Sequence, residues 1–420
     1  MVGPGRVVPL VLALVLASVA ACAAGGPSAQ TAVPYLSGPP GTPEAGLTPL
    51  DPASLADASG TAPLGAGLPI EPWSWTASAD GSTLAGVDYD QRLDPARHTA
   101  VVLDARTGTE RARFATPPLA VGARLSRDGS RLVMALPHSR VDPPATEWFT
   151  IDTRTGTILS RATVAGPLSQ SWLDPAATRL YRVDGPTDGP MAGPIRLQLV
   201  ANDLATGAEL GRVELPDAGI GTWPVPTDDQ NPAFATVSPG IALSPDGRTL
   251  VVLPAESDAL VLVDTERMAV ARRVDLGRPW SPLEWLPLWP RLAHAKEVEG
   301  TIRQALFGPD GRRLYAWGAE WRRGPDGRPV AHQLPLRAID VASGRVVVEA
   351  ALPEAIASLL PEPGGRSLYL VQPGDQPGPT GDDDARRYPY LLRRLDAATL
   401  AVRAEREVAG FRQLLLLPAG

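Results

Sequence analysis

Cysteine is nearly absent from this sequence of 420 residues: Cys22 is the only one. No intramolecular disulfide can form, so the fold must be held by its own core, and a chain of this length has ample residues for one. Lysine is nearly absent as well. Lys296 stands alone, and arginine carries the rest of the positive charge. The formal net charge of −7 leaves no basic excess to neutralise phosphates. That excludes nucleic acid as an expected partner. The four histidines, His98, His138, His294 and His332, are not neighbours in sequence, and no short-spaced cluster of zinc ligands can be read. There is no G-x-S-x-G elbow, no H-E-x-x-H and no P-loop. No cofactor and no metal is expected, and no catalytic residue is assigned.

An apolar run long enough to cross a bilayer, about 20 residues, is also missing. The N-terminal run from Val7 to Ala17 is too short. It follows Arg6 and precedes small residues, which is the layout of an export signal. The stretch Val19-Ala20-Ala21-Cys22 resembles the lipobox of bacterial lipoproteins. The resemblance implies removal of residues 1–21, lipidation of Cys22, and a stable anchor made of several acyl chains, since one chain alone anchors poorly. Ordinary secretion with an incidental cysteine is the alternative reading. Residues 22–30 are mostly Ala, Gly, Ser and Pro and read as a short flexible tether. The expected location is the extracytoplasmic face of the cell membrane, lipid-anchored, as a monomer.

Residues 31–420 are dominated by a repeat. "LSPDGRTL" starting at Leu243 has near-copies in "ASADGSTL" at Ala77, "LSRDGSRL" at Leu125 and "FGPDGRRL" at Phe307. Aligned on the turn glycine, the series runs Gly81, Gly129, Gly247, Gly311 and Gly365. Ala177 takes the slot in "LDPAATRL", and Gly420 falls in it at the C-terminus. A second signal follows each turn: "LDARTG" at Leu103, "IDTRTG" at Ile151, "NDLATG" at Asn202 and "IDVASG" at Ile339. Weaker forms are "VDTERM" at Val263, "LDAATL" at Leu395 and, near the N-terminus, "LDPASL" at Leu50. Both signals therefore count to seven, with the seventh pair split between the chain ends.

Short apolar runs bounded by Asp, Pro and Gly are strands joined by tight turns. Gly supplies positive φ, and Asp bonds its own backbone two residues on. Each unit is then a four-stranded antiparallel meander, which buries its faces only when several are arranged radially, as in a β-propeller. The "SPDGRTLVV" and "VLVDT" pattern resembles the YVTN-type and TolB-like propeller repeats, which are WD40-like in plan. The expected fold is all-β, a seven-bladed β-propeller of four-stranded antiparallel blades. Its last blade takes its innermost strand from "FRQLLLLPAG" and the others from "AVPYLS", "GLTPLD" and the region around "GTAPLG".

In such a ring the glycine and Asp turns fall on one face and the remaining connections on the other. Those connections are expected as long loops over Asp184–Pro194, Asp217–Pro232, Gly277–Gly300, Gly318–Gln333 and Gln372–Pro389. Long loops on a rigid scaffold usually carry binding. The candidate face therefore includes Trp223, Asp228 and Asp229, the tryptophans Trp280, Trp285 and Trp289 with His294, then Trp321 and His332, and finally Asp382, Asp383, Asp384, Arg386 and Arg387. The Trp-rich loop reads either as an exposed docking surface or as a plug folded onto its own face. The three adjacent aspartates lack the alternating ligand spacing of a calcium loop, so a solvated loop tip is the simpler reading.

Two related chemistries lack their marks. "SADGSTL" has Asp and Gly adjacent and no Trp, unlike a sialidase Asp box. The Trp that follows the D-x-x-T-G turn in quinoprotein dehydrogenases is replaced by Ala112, Ser160, Gly211 and Val348. The leading expectation is a binding or scaffold platform for an envelope protein or glycan. The alternative is a lactonase-like hydrolase, because YVTN-type repeats resemble lactonase propellers. That would require polar and acidic residues converging at the channel mouth. A structural member of an envelope complex is a third reading.

Overall fold

The computed structural model describes residues 32–38, 46–68, 70, 74–88, 98–118, 120–138, 144–166, 170–184, 194–225, 233–276, 297–323, 329–373, 389–410 and 413–418. Among them there are only strands and turns. The chain begins with β1 (Ala32–Ser37) and β2 (Leu47–Pro49). Meanders follow: β3 (Thr76–Ala77), β4 (Thr83–Val87), β5 (Thr99–Asp104), β6 (Glu110–Ala115); then β7 (Val121–Leu125), β8 (Arg131–His138), β9 (Ala145–Asp152), β10 (Ile158–Ala165); then β11 (Ser171–Leu173), β12 (Arg179–Asp184), β13 (Ile195–Asp203), β14 (Glu209–Val225). After an intervening β15 (Ala233–Ser238) come β16 (Gly240–Leu243), β17 (Thr249–Leu253), β18 (Ala259–Asp264), β19 (Ala269–Asp275); then β20 (Glu297–Phe307), β21 (Arg313–Arg323), β22 (Pro329–Asp340), β23 (Val346–Ala350); then β24 (Ser358–Pro361), β25 (Ser367–Pro373), β26 (Pro389–Asp396), β27 (Val402–Ala409); and last β28 (Leu414–Pro418).

The turns form where the repeat places them. In the Asp turns, one carboxylate oxygen accepts the amides two and three residues on. Asp152 Oδ1 takes Arg154 and Thr155 at 2.9 and 2.8 Å, and Asp203 takes Ala205 and Thr206 in the same way. The slot that follows needs positive φ. Glycine fills it at Gly108, Gly156, Gly207 and Gly344, and the degenerate copies keep the same backbone with Leu55 at 61°, Met268 at 47° and Leu400 at 57°. Ala177, in the glycine slot of the other turn, sits at 50°. These are the only non-glycine residues at positive φ among the described ones, so the repeat dictates backbone even where it has lost its residue.

The apolar core is divided into clusters, each lying between two neighbouring sheets. Val87, Val102, Leu132 and Phe149 join the sheet of β3–β6 to that of β7–β10, and Val133, Trp148, Leu180 and Leu204 join that to β11–β14. Further clusters join β12–β14 to β16–β18, β16–β18 to β20–β22, and β20–β22 to β24–β26. Leu36 and Leu50 pack with Leu360, Tyr369 and Leu392 of β24–β26. Leu47, Leu415 and Leu417 pack with Trp75, Leu84 and Leu103. The circuit of clusters thus returns to its start, and the arrangement is a β-propeller with four-stranded antiparallel blades.

The closing sheet is made from both chain ends: β1 pairs antiparallel with β28, Tyr35 opposite Leu415, and with β2, Tyr35 opposite Pro49. The early segment around Leu50 therefore belongs to the same sheet as the C-terminus.

Three expectations need correction. Seven separate four-stranded sheets are not what forms: four are separate, the meanders β11–β14 and β20–β23 are fused through β15 into one nine-stranded sheet, and the closing sheet has three strands. Its fourth strand, expected around "GTAPLG", is reduced to the single bridges Leu47–Leu64 and Leu50–Asp57. Gly60, Gly65 and Gly67, all at positive φ, break the extended run there. Finally, two expected loops are largely strand. Asp217 to Val225 continues β14, and β21 and β22 run through most of 318–333.

Candidate ligand-binding face

The two ends of the ring differ in kind. One end carries the glycine and Asp turns in near-identical copies. The other carries the remaining connections, and on it the strands β14, β15 and β20 to β22 build outward into an extended sheet. Its order is set by one parallel contact: β15 leaves the hairpin with β14 and pairs parallel to β20, Thr236 beside Gly300 and Ser238 beside Ile302.

Side chains that oppose each other across a sheet share a face. One such row runs Thr222, Thr236, Gly300 and Trp321. The hydroxyls of Thr222 and Thr236 are 3.2 Å apart. Gly300 is what permits the row: its φ is 134°, and a Cβ there would lie 1.9 Å from the Thr236 carbonyl oxygen. No side chain fits between β15 and β20, so the ribbon can lie flush only on glycine. Next along, His332 stands opposite Glu320, whose carboxylate is 2.7 Å from Arg322 Nε. Trp223 pairs with Ala235 one row away. Trp223, Trp321 and His332 are each partly exposed.

The structure thus gathers Trp223, Trp321 and His332 on one sheet extension, and because adjacent rows point to opposite faces, Trp321 lies on one face and Trp223 and His332 on the other. Asp228, Asp229, Trp280, Trp285, Trp289, His294, Asp382, Asp383, Asp384, Arg386, Arg387 and Cys22 lie outside the described residues.

Arginines missing from the sequence-derived candidates sit on or near the innermost strands. Arg124, on β7, is partly buried and donates to the carbonyl and hydroxyl oxygens of Ser171 at 2.6 and 3.3 Å. Burial pushes its guanidinium down to about 10, which leaves it charged at neutral pH. Arg303, on β20 and 6% exposed, donates to the Ser257 carbonyl at 2.6 Å and lies 3.5 Å from Asp258 Oδ1. It too is pushed down to about 10, chiefly by burial. An alternating strand pattern gives no sign that a given arginine will end up inside. Only the packing of adjacent inner strands does.

Acidic groups on this half of the blades are mostly bonded to arginine. Glu147 is held by Arg161, with His138 Nε2 at 3.5 Å, and the Arg161 bond keeps its carboxyl below the usual range. Asp184 bridges Arg182 and Arg212 at 2.7 Å each. Arg393 ties Glu354, Glu405 and the Gln372 side chain together at 2.5 to 2.6 Å. Among the described residues, no three His, Cys, Asp or Glu side chains converge as a metal site would need.

No family model matches the chain, and no curated protein matches it by sequence. Solved structures do. The periplasmic gluconolactonase of Pseudomonas aeruginosa superposes with a TM-score of 0.53 at 16% identity, covering 93% of this chain and 100% of that one. A Bacteroides fragilis protein provisionally assigned as a 6-phosphogluconolactonase gives 0.47 at 14% identity over 94% and 100%. The Swd1 β-propeller domain of Myceliophteria thermophila gives 0.42 at 12% identity over 80% and 86%. At such identities the likeness to the gluconolactonase speaks for the propeller fold alone.

Proposed function

We propose that the chain is an exported, lipid-anchored propeller whose loop-bearing face is a binding platform for an envelope protein or glycan. The observation that carries this reading is the asymmetry of the ring. One end is spent on repeated turns, while the other is built up by β14, β15 and β20–β22 into a sheet that carries Trp321 on one face and Trp223 and His332 on the other, each partly exposed. Rigid, partly exposed aromatics on regular strands are the residue types that anchor interfaces. We count the ring as seven blades, taking each half of the fused sheet and the closing sheet as one blade each. The anchor is Cys22, reached through residues 22–30, and the site of action is the extracytoplasmic face of the membrane.

The test is a cross-linking pull-down from the native envelope. Trp321→Ala should lower partner recovery several-fold and leave the melting temperature nearly unchanged. Unchanged recovery, or recovery lost only together with stability, would refute the platform. For the anchor, Cys22→Ala should release the protein into the medium, and retention on the membrane counts against lipidation.

A second reading is a hydrolase of a sugar lactone, the class named for the Pseudomonas neighbour. What favours it is the pair of charged guanidinium groups on the inner strands, Arg124 and Arg303. Against it stand the carboxylates Glu147, Asp184 and Glu354, which are occupied by arginine. Turnover of gluconolactone by the purified chain, abolished by Arg303→Met, would replace the platform reading.

A further inference from the structure

The large apolar side chains exposed among the described residues are Ile158, Leu159, Leu210, Val270, Val347 and Val402, each between 37% and 52% exposed. Single exposed apolar residues are ordinary. These are not scattered. Every one is the first or second residue of an outermost strand, β10, β14, β19, β23 or β27, immediately after the Asp turn. They form an arc around the rim of the turn-bearing end, over five successive outer strands. The arc stops at β6, whose first residues are Glu110 and Arg111.

Two further observations fall on the same end. The chain enters the ring there: Ala32 pairs with Pro418, so β1 starts at the turn end and runs toward the loop-bearing face. The ten residues from Cys22 to Thr31 can span at most about 35 Å. The turn tips also present exposed arginines, among them Arg106, Arg154, Arg248, Arg267, Arg312 and Arg345. Exposed acids stand beside them at Asp80, Asp128, Asp246 and Asp310, but these fold back: each accepts the amide two residues on. These carboxylates keep their charge, and Glu209 and Glu266 are exposed at the same end, so charges of both signs border the apolar arc.

We propose that the turn-bearing end lies flat on the phospholipid bilayer that holds the anchor, with the apolar arc dipping into the interface and the charged turn tips among the headgroups. Apolar side chains seated in a membrane interface lie about 5–10 Å deep. A residue one or two positions past a turn lies within about 7 Å of the edge of its sheet. The loop-bearing face then points away from the membrane. This orientation rests on the lipid anchor for tethering, and it adds what the anchor alone does not supply, a fixed attitude.

The experiment uses the mature, acylated protein in vesicles of phosphatidylglycerol and phosphatidylcholine doped with a shallow nitroxide lipid. A fluorophore is placed on an introduced cysteine at Leu210→Cys or Val347→Cys on the arc, or at Glu256→Cys on an exposed loop of the opposite face. Quenching at the two arc positions should exceed that at Glu256→Cys by at least about twofold, as burial in the interface requires. Replacing Leu159 and Val402 by Ser should reduce the quenching at both arc positions without moving the melting temperature. Equal quenching at all three positions means a protein free on its tether and overturns the proposal. So does protection of the arc in native membranes but not in pure lipid, which would assign it to a protein partner. The mass of the N-terminal peptide scores the anchor separately. If Cys22 carries no acyl group, flotation of the same labelled chains with the same vesicles still tests the face, and failure to float then refutes it.

Discussion

Removing a single leucine from either side of the closing sheet should cost as much as a mutation in the middle of any other blade. Leu36 and Leu417 are 1% and 0% exposed and lie on paired strands from opposite ends of the chain. They pack in different directions, Leu36 against Leu360, Tyr369 and Leu392, and Leu417 against Trp75, Leu84 and Leu103. A buried Leu→Ala change costs about 2–5 kcal/mol, the spread reflecting how far the site can collapse. Both sites are pinned between sheets, so about 3 kcal/mol is the working value. With a urea slope of at least about 3 kcal/mol per molar, the upper end for small proteins and larger for longer chains, each midpoint should fall by up to about 1 M. Val402→Ala, at a side chain 48% exposed, is the control and should stay within about 0.5 kcal/mol. The assay is equilibrium urea unfolding followed by circular dichroism and tryptophan fluorescence together. Coincident transitions with both midpoints lowered support closure by the two ends. If either leucine behaves like Val402, or if a separate early transition carries the whole effect, the closing sheet does not hold the ring.

Two more stability predictions follow from the turns. Gly129→Ala should destabilise strongly, because φ is 70° and the new Cβ would lie 2.3 Å from Thr83 Oγ1. Ala177→Gly, at φ 50°, should gain on the order of 0.5–1 kcal/mol by relieving a left-handed alanine. A melting-temperature comparison that shows the same sign for both contradicts the turn assignment. Acid should unfold the protein through its turn aspartates. Asp104 is held down to about 2 by its bond to Arg111, and Asp396 to about 2 by Arg403. Asp152, Asp203 and Asp340 are lowered by hydrogen bonds to the turn residues Thr155, Thr206 and Ser343. A depressed carboxylate contributes stability above its unfolded value and loses it as pH falls through the folded one. The melting temperature should therefore drop between about pH 4 and pH 2, and a flat profile there would refute the role given to these bonds.

The turns and the closure were legible because they depend on local chemistry. Glycine and Asp mark a backbone shape at fixed spacing, and Leu55, Met268 and Leu400 hold that shape where the motif has decayed. The extended sheet was not legible. "LPDAGIGTWPV" contains Gly and Pro and no alternation, so it reads as a loop. It is strand because β15 supplies partners for the end of β14 and pairs in turn with β20, far along the chain. Gly300 was visible as a residue but not as the point where two backbones meet. Trp223, Trp321 and His332 are candidates because they fall in expected long loops, and the register alone shows that they share a sheet. Arg124 and Arg303 were missed because exposed and buried arginines look alike in a strand.

Hydrogen exchange tests the ring most directly. The amides of β1 and β28, which pair Val33 with Leu417 and Tyr35 with Leu415, should exchange as slowly as those of β17, a strand in the middle of its own sheet. Exchange of both strands within seconds, with β17 still protected, would mean that the two chain ends do not pair and that the circle is open.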